Sequence, residues 1–319
     1  MEQYTCSFEN DPFTLEKAKK EVYEIPSDRL AAVDCLRQWL NSQEHLVFKA
    51  DTRMLLAFLR HAKFSQKKAR ETLEGYVKNF DEYPCWFRDL DPCSKKTDWI
   101  LSKGYGIPLP GYDVDGRKVI FYKISSIPYN EIGKGKTIDV DDLMKVWVIL
   151  GAYANSEERT QIHGFSLFFD YTNVTMKQLG MIGRDKIKEW NTATEDRLTG
   201  RLKAFQMYNI GALFEVMFNF IKPFMKKKFL NRIYVYETLE EVYKNIDKKN
   251  LPSEYLPDDY DGPTQGTFSE MAAKFKKEIQ SEEWRKYYDS RFNSSFHVDN
   301  KKKNNGDAPT ALFRKLNVD

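Results

Sequence analysis

The 319-residue chain is poor in cysteine and histidine, carries almost no net charge, and lacks any long hydrophobic run. Its four cysteines (Cys6, Cys35, Cys85, Cys93) show no CxxC spacing, which excludes a zinc ribbon or a disulfide-stapled secreted scaffold. The four histidines (His45, His61, His163, His297) are scattered without metal-ligand spacing, so neither metal nor cofactor is expected. Lys plus Arg (50) nearly cancel Asp plus Glu (47), leaving a formal charge of +3; no global field calls for nucleic acid, and an anionic partner must be met by a local patch. A bilayer span needs about 20 apolar residues, and every apolar segment here is shorter or interrupted. The start, Met1-Glu2-Gln3-Tyr4, has neither the basic nor the apolar region of a signal peptide, so a reducing cytoplasmic location is the default.

Catalytic constellations are equally scarce. Asn130-Glu131-Ile132-Gly133-Lys134-Gly135-Lys136-Thr137 ends like a phosphate-binding loop but has Asn130 where the first glycine is required. Asp139, Asp141 and Asp142 then put carboxylates where phosphates need positive potential. Gly164-Phe165-Ser166-Leu167-Phe168 lacks the second glycine of a nucleophile elbow. Asp170 has no partner base that can be placed beside it, and no enzyme is expected.

What the chain has in surplus is apolar bulk. Ile210 to Ile221 is a helix-length run whose strongly polar members, Glu215 and Asn219, share one stripe with Lys222. It lies between Arg201 on one side and Lys226, Lys227, Lys228 and Arg232 on the other. A hydrophobic interior must claim one of its faces; the other meets either more protein or a membrane surface.

Around this stretch, helices are expected at Leu15–Glu24, at Ser27–Asn41 with Ser27 as N-cap, after Asp51, and from Gln66 to about Tyr83 behind Ser65, with no strand before residue 100. Residues up to about Phe13 show no periodicity and are expected to wander. The breaker-rich Gly104–Gly111 reads as a loop. Strands at Lys118–Ile124, Gly164–Asp170, Leu202–Asn209 and Ile233–Tyr236 alternate with helices at Asp139–Glu158, Met176–Asn191 and Ile210–Ile221, the pattern of a mostly parallel sheet. A last helix spans Phe268 to about Arg291, and Lys301–Gly306 is too polar to fold, although Leu312, Phe313 and Leu316 have docking potential. Phe165, Leu167 and Phe169 face the same way as Phe205, opposite Met144, Trp147 and Val148; these surfaces close either a solid core or a cavity, and periodicity does not distinguish them.

Leu55-Leu56-Ala57-Phe58-Leu59-Arg60-His61-Ala62-Lys63-Phe64, Gly164–Asp170, Ile221-Lys222-Pro223-Phe224-Met225 and Leu251-Pro252-Ser253-Glu254-Tyr255-Leu256-Pro257 together resemble the CRAL-TRIO lipid-binding family, within it the branch of tocopherol and retinaldehyde carriers. The resemblance covers roughly residues 27 to 290. It implies an α/β fold, with an all-helical amino-terminal region and a sheet whose helices enclose a hydrophobic cavity under a gate helix. The implied division is an extension (1–26), a helical domain (27–95), a lipid-binding domain (96–290) and a tail (291–319). Ligand-lining positions would be Met144, Trp147, Val148, Gly151, Phe165, Leu167, Phe169, Trp190 and Phe205, with Leu213, Phe214, Met217, Phe220 and Ile221 on the gate. Arg201, Lys228 and Arg232 match the family's phosphoinositide positions, and Lys226 and Lys227 add charge beside them. Trp147 and Gly151 stand where the tocopherol branch has small hydroxyl residues, and Trp190, Ala193 and Thr194 replace aliphatic ones, so the cavity's shape need not suit tocopherol. The implied function is non-catalytic carriage of a retinoid, carotenoid, tocopherol or similar lipid, with transient membrane contact; a solid-core interaction module is the alternative.

Overall fold

A computed structural model describes residues 4–302. Its strands are β1 (Leu46–Val47), β2 (Gly106–Tyr112), β3 (Lys118–Lys123), β4 (Phe165–Asp170), β5 (Leu202–Tyr208), β6 (Ile233–Tyr236) and β7 (His297–Val298). Five of them form one sheet in the order β2-β3-β4-β5-β6; β2 runs antiparallel to β3 and the other pairs are parallel. Register puts Ile120, Leu167 and Phe205 in one row and Tyr122, Phe169 and Met207 in the next. Strand alternation sends these rows to one face. Phe121 and Phe168 point to the opposite face, where the Phe121 ring lies 4.7 Å from Phe168, 4.9 Å from Tyr255 and 5.3 Å from Phe268, a close-packed aromatic layer. Asp170, at the end of β4, accepts a 2.5 Å hydrogen bond from the Tyr255 hydroxyl and a 2.8 Å one from the Thr172 amide. Its role in the fold is therefore to tie the Leu251–Pro257 segment to the sheet.

The helical region follows its caps. Asp51 accepts from the Met54 amide at 2.7 Å and starts Thr52–His61, and Ser65 caps Gln66–Glu82. Tyr76 joins these helices, with its ring 5.6 Å from Phe58 and 5.5 Å from Phe80.

Several expectations are corrected. The amino-terminal residues do not wander from Tyr4 onward: Cys6, Phe8, Ala18 and Val22 pack with Ile162 into a small core of their own. Fully buried Arg60 sits beneath them, donating to Glu24 at 2.8 and 2.9 Å, to Glu158 at 2.9 Å and to Gln161 at 2.7 Å. A buried guanidinium needs such acceptors, and Glu24 thereby fixes the end of the extension. Gly104–Gly111 is largely strand, because an edge strand tolerates prolines that a central one does not. β1 precedes residue 100, paired with distant β7. Asp28, not Ser27, occupies the N-cap of Arg29–Ser42. The helix after Asp139 ends at Ser156, and Glu158–His163 forms a separate one. Met176–Asn191 breaks into Met176–Leu179 and Arg184–Thr194, and Phe268–Arg291 restarts at Ser281, which caps Glu282–Arg291. The tail from residue 303, with Leu312, Phe313 and Leu316, lies outside the described residues.

Candidate ligand chamber and its basic rim

Between the sheet face and the helices over it lies a chamber of about 1600 Å³. One wall is the sheet row of Phe165, Leu167, Phe169 and Phe205, joined by Ile120, Tyr122 and Met207. A second is the helix Val140–Ser156, which presents Met144, Trp147, Val148, Gly151 and Asn155 along one stripe. Asp139 starts this helix with a capping box, accepting from the Asp142 amide at 3.1 Å while Asp142 accepts from the Asp139 amide at 2.9 Å. Trp190 closes one side, its ring 5.3 Å from that of Trp147.

The cover is the helix Leu213–Ile221. Asn209 and Gly211, with φ of 55° and 50°, make the reversal between β5 and this cover, a backbone that glycine and asparagine adopt most readily. Val216, Met217, Phe220 and Ile221 reach the chamber, while Glu215, Asn219 and Lys222 face solvent as the stripe requires. Leu213 and Phe214 lie outside the chamber wall, in a cluster with Tyr171, Val174, Met207 and Ile210 that anchors the start of the cover. Two polar ties hold the rest down: the Tyr171 hydroxyl donates to Met217 Sδ at 3.2 Å, and Asn191 Nδ2 donates to the Phe224 carbonyl at 2.8 Å. Even closed, the cover leaves Val216 49% exposed and Leu213, Phe214, Phe218, Phe220 and Ile221 half-buried.

The chamber runs on to a basic end formed by Arg201, Lys203, Lys228 and Arg232. Arg201 donates to the Ile162 carbonyl, and Arg232 donates to the Leu202 carbonyl at 2.5 Å. Glu21, from the extension, has one carboxylate oxygen 3.1 Å from both Arg201 Nη2 and Lys203 Nζ. Burial lowers the pKa of Arg201 and Lys203, with Glu21 opposing it. Burial also pushes the Glu21 carboxyl up, but Lys203, Lys17 and Arg201 more than reverse this and hold it below its ordinary value. The Phe229 ring lies under two cations, with the Lys228 ammonium 4.8 Å and the Arg232 guanidinium 5.6 Å from its centroid. Lys226 is engaged elsewhere, at 2.7 Å from Asp196 and 3.2 Å from Glu195; Lys227 is exposed, and neither lines the chamber.

Sequence reasoning missed Lys203, Tyr105, Tyr122, Tyr129, Tyr171 and the contributions of the helical region, Ala57, Phe58, His61 and Tyr76 among them. Period two along β5 would have found Lys203 between Arg201 and Phe205, and period two along β3 would have found Tyr122 beside Ile120. Nothing local marks the helical-region residues, because they meet the chamber only through tertiary packing.

A sheet face and a half-exposed apolar cover flank one large, partly open chamber with room for a hydrophobic molecule. The CRAL/TRIO domain matches residues 102–255, and the Pinta-like UBA domain matches residues 25–97. The Homo sapiens protein "Alpha-tocopherol transfer protein-like" is 30% identical over 254 residues, which cover 79% of this chain and 71% of that protein. Clavesin-2 of Mus musculus is 26% identical over 250 residues, 76% of this chain and 73% of its own. The chain belongs to the CRAL-TRIO family of lipid-binding proteins. Among solved structures, one titled "Crystal structure of Sfh5" aligns over 83% of this chain and 98% of that one, at 11% identity and a TM-score of 0.43.

Proposed function

We propose that the protein encloses one hydrophobic molecule of the retinoid, carotenoid, tocopherol or similar kind and exchanges it, chemically unchanged, at phosphoinositide-containing membranes, working in the cytoplasm and touching membranes transiently. The observation that carries this reading is the chamber of about 1600 Å³. Its apolar part, walled by Phe165, Leu167, Phe169, Phe205, Met144 and Trp147, offers a hydrophobic molecule room that a solid-core interaction module would fill with side chains. A cargo gains roughly 0.8 kcal/mol for each CH₂ removed from water, so an apolar wall retains it with few polar contacts.

Release follows from the same arithmetic. Lifting the cover in water would uncover Met217, Phe220 and Ile221 at a cost of roughly 25 cal/mol for each Å² of apolar surface. Against a bilayer that surface enters acyl chains instead, and half-exposed Phe214, Phe218 and Val216 are placed to make first contact. Lys227, Lys228 and Arg232 would hold the open face down, each cation contributing about 1 kcal/mol at an anionic surface. Arg201 and Lys203 at the basic end are suited to a phosphorylated headgroup. Lys226, already paired with Asp196 and Glu195, contributes less than its position in the sequence suggests.

The test is vesicle-to-vesicle transfer of a fluorescent polyene by wild type and a Lys228→Gln, Arg232→Gln double variant. Occupancy should be unchanged. Transfer to phosphoinositide vesicles should slow at low salt, with the gap closing at high salt. Wild-type rates from the double variant at low ionic strength would reduce the rim to a solvated surface.

A further inference from the structure

Seven tyrosines line the chamber among the described residues, and the hydroxyls of four of them, Tyr105, Tyr122, Tyr129 and Tyr171, are not equivalent. Tyr129 donates to the Ile124 carbonyl at 2.7 Å and Tyr171 to Met217 Sδ, so both protons are committed. Tyr105 accepts from Trp147 Nε1 at 3.0 Å, which leaves its own proton uncommitted. Tyr122 is 3% exposed as a residue, yet among the described residues its hydroxyl makes no hydrogen bond to protein and is open to the chamber rather than sealed in the core. The ring is nonetheless firmly held. It stacks on Phe169 at 5.2 Å, meets Trp147 edge-on at 6.2 Å and lies 5.4 Å from Tyr105. A Cβ at Gly106 would sit 2.8 Å from it, so that backbone clamps the ring. Two fixed donors therefore stand side by side on a wall otherwise made of Phe169, Met144 and Ile120. Burial pushes both hydroxyls well above the usual tyrosine range, so they stay protonated and able to donate.

Water can meet this hydroxyl while the chamber is empty, but a cargo that displaces the water leaves the donor unpaired, at a cost, unless the cargo itself offers an acceptor. We propose that Tyr122, assisted by Tyr105, is the polar recognition point of the chamber: it donates a hydrogen bond to an oxygen on the cargo, a hydroxyl or carbonyl, so that the protein selects oxygenated hydrophobes over hydrocarbons of the same shape. This rests on the carrier reading above and adds to it the chemical class of the cargo. Trp147 assists by holding the Tyr105 oxygen as an acceptor, which turns that proton away from the indole.

The test uses pairs that differ in oxygen alone, retinol against axerophthene and zeaxanthin against β-carotene, titrated by quenching of tryptophan fluorescence. Wild type should bind the oxygenated member of a pair more tightly. Tyr122→Phe should weaken that member about 3- to 10-fold, the range of one neutral hydrogen bond, and leave the hydrocarbon unchanged. The Tm of the ligand-free variant should not fall, because the lost hydroxyl had no protein partner. Tyr105→Phe should also weaken the oxygenated probe, but with a lowered Tm, since Trp147 Nε1 loses its acceptor. If Tyr122→Phe leaves the ratio within each pair unchanged, the recognition point is refuted and the carrier reading stands. If wild type takes up no member of either pair, no tocopherol and no lipid from vesicles, the carrier reading falls and this one with it.

Discussion

Gly151 offers a perturbation whose two effects have opposite signs. It lies within the helix Val140–Ser156, on the stripe that lines the chamber, and a Cβ built there meets nothing within 4 Å. Gly151→Leu should therefore stabilise the protein while it obstructs the cargo. Replacing a helix-interior glycine with a good helix former gains about 0.8 to 1 kcal/mol, which for a chain of this size raises Tm by roughly 2 °C. The four added carbons occupy space that methylenes of the cargo would otherwise fill. At about 0.8 kcal/mol per CH₂ the loss is up to roughly 3 kcal/mol, or up to about 100-fold in affinity. The assays are differential scanning fluorimetry on ligand-free protein and retinol titration by tryptophan quenching. Overpacking of a closed core costs about 1 to 3 kcal/mol. A fall in Tm would thus mean that the space beside Gly151 is filled by protein, and a raised Tm with unchanged binding would mean that cargo does not reach it.

Glu21→Gln should raise affinity for phosphoinositide vesicles about 3- to 10-fold at low salt, because it frees Arg201 and Lys203 from a partly exposed pairing worth about 1 kcal/mol; vesicle sedimentation reads this, and unchanged affinity would place both cations outside the membrane contact. His163 is buried among Thr14, Lys17, Arg159, Asp11 and the Asp115 carbonyl, and burial pushes its pKa down to about 4. It stays neutral in the fold but is protonated on unfolding below about 6.5, so urea stability should be level above that pH and fall by up to roughly 3 kcal/mol as pH drops towards 4. His163→Gln should flatten this window, and an unchanged pH profile would contradict the assignment.

Much of the architecture was legible because it is written in local chemistry. Asp51, Ser65 and Asp139 announce their helices through side-chain caps, and the alternation of Phe165, Leu167 and Phe169 sets one face of β4. The polar stripe of Glu215, Asn219 and Lys222 likewise fixed which side of the cover meets water. The extension was unreadable because its anchors are remote: Glu24 meets Arg60 across 36 residues and Ser7 meets Glu158 across 151. β2 was hidden by its own prolines, and β1 pairs with a strand some 250 residues away. In the chamber, the aromatic face was predictable, while Tyr122 was not singled out because a tyrosine between isoleucines reads as core. Leu213 and Phe214 illustrate the reverse, since continuous hydrophobicity along the cover does not say which residues reach the cavity and which anchor its end.

Native mass spectrometry of the full chain purified gently from its own source, followed by lipid extraction, tests the central claim most directly. The account predicts one hydrophobic, oxygen-bearing molecule per chain, released intact by organic solvent and replaceable by lipid from vesicles. Protein that is reproducibly free of lipid and takes up none from vesicles would contradict it.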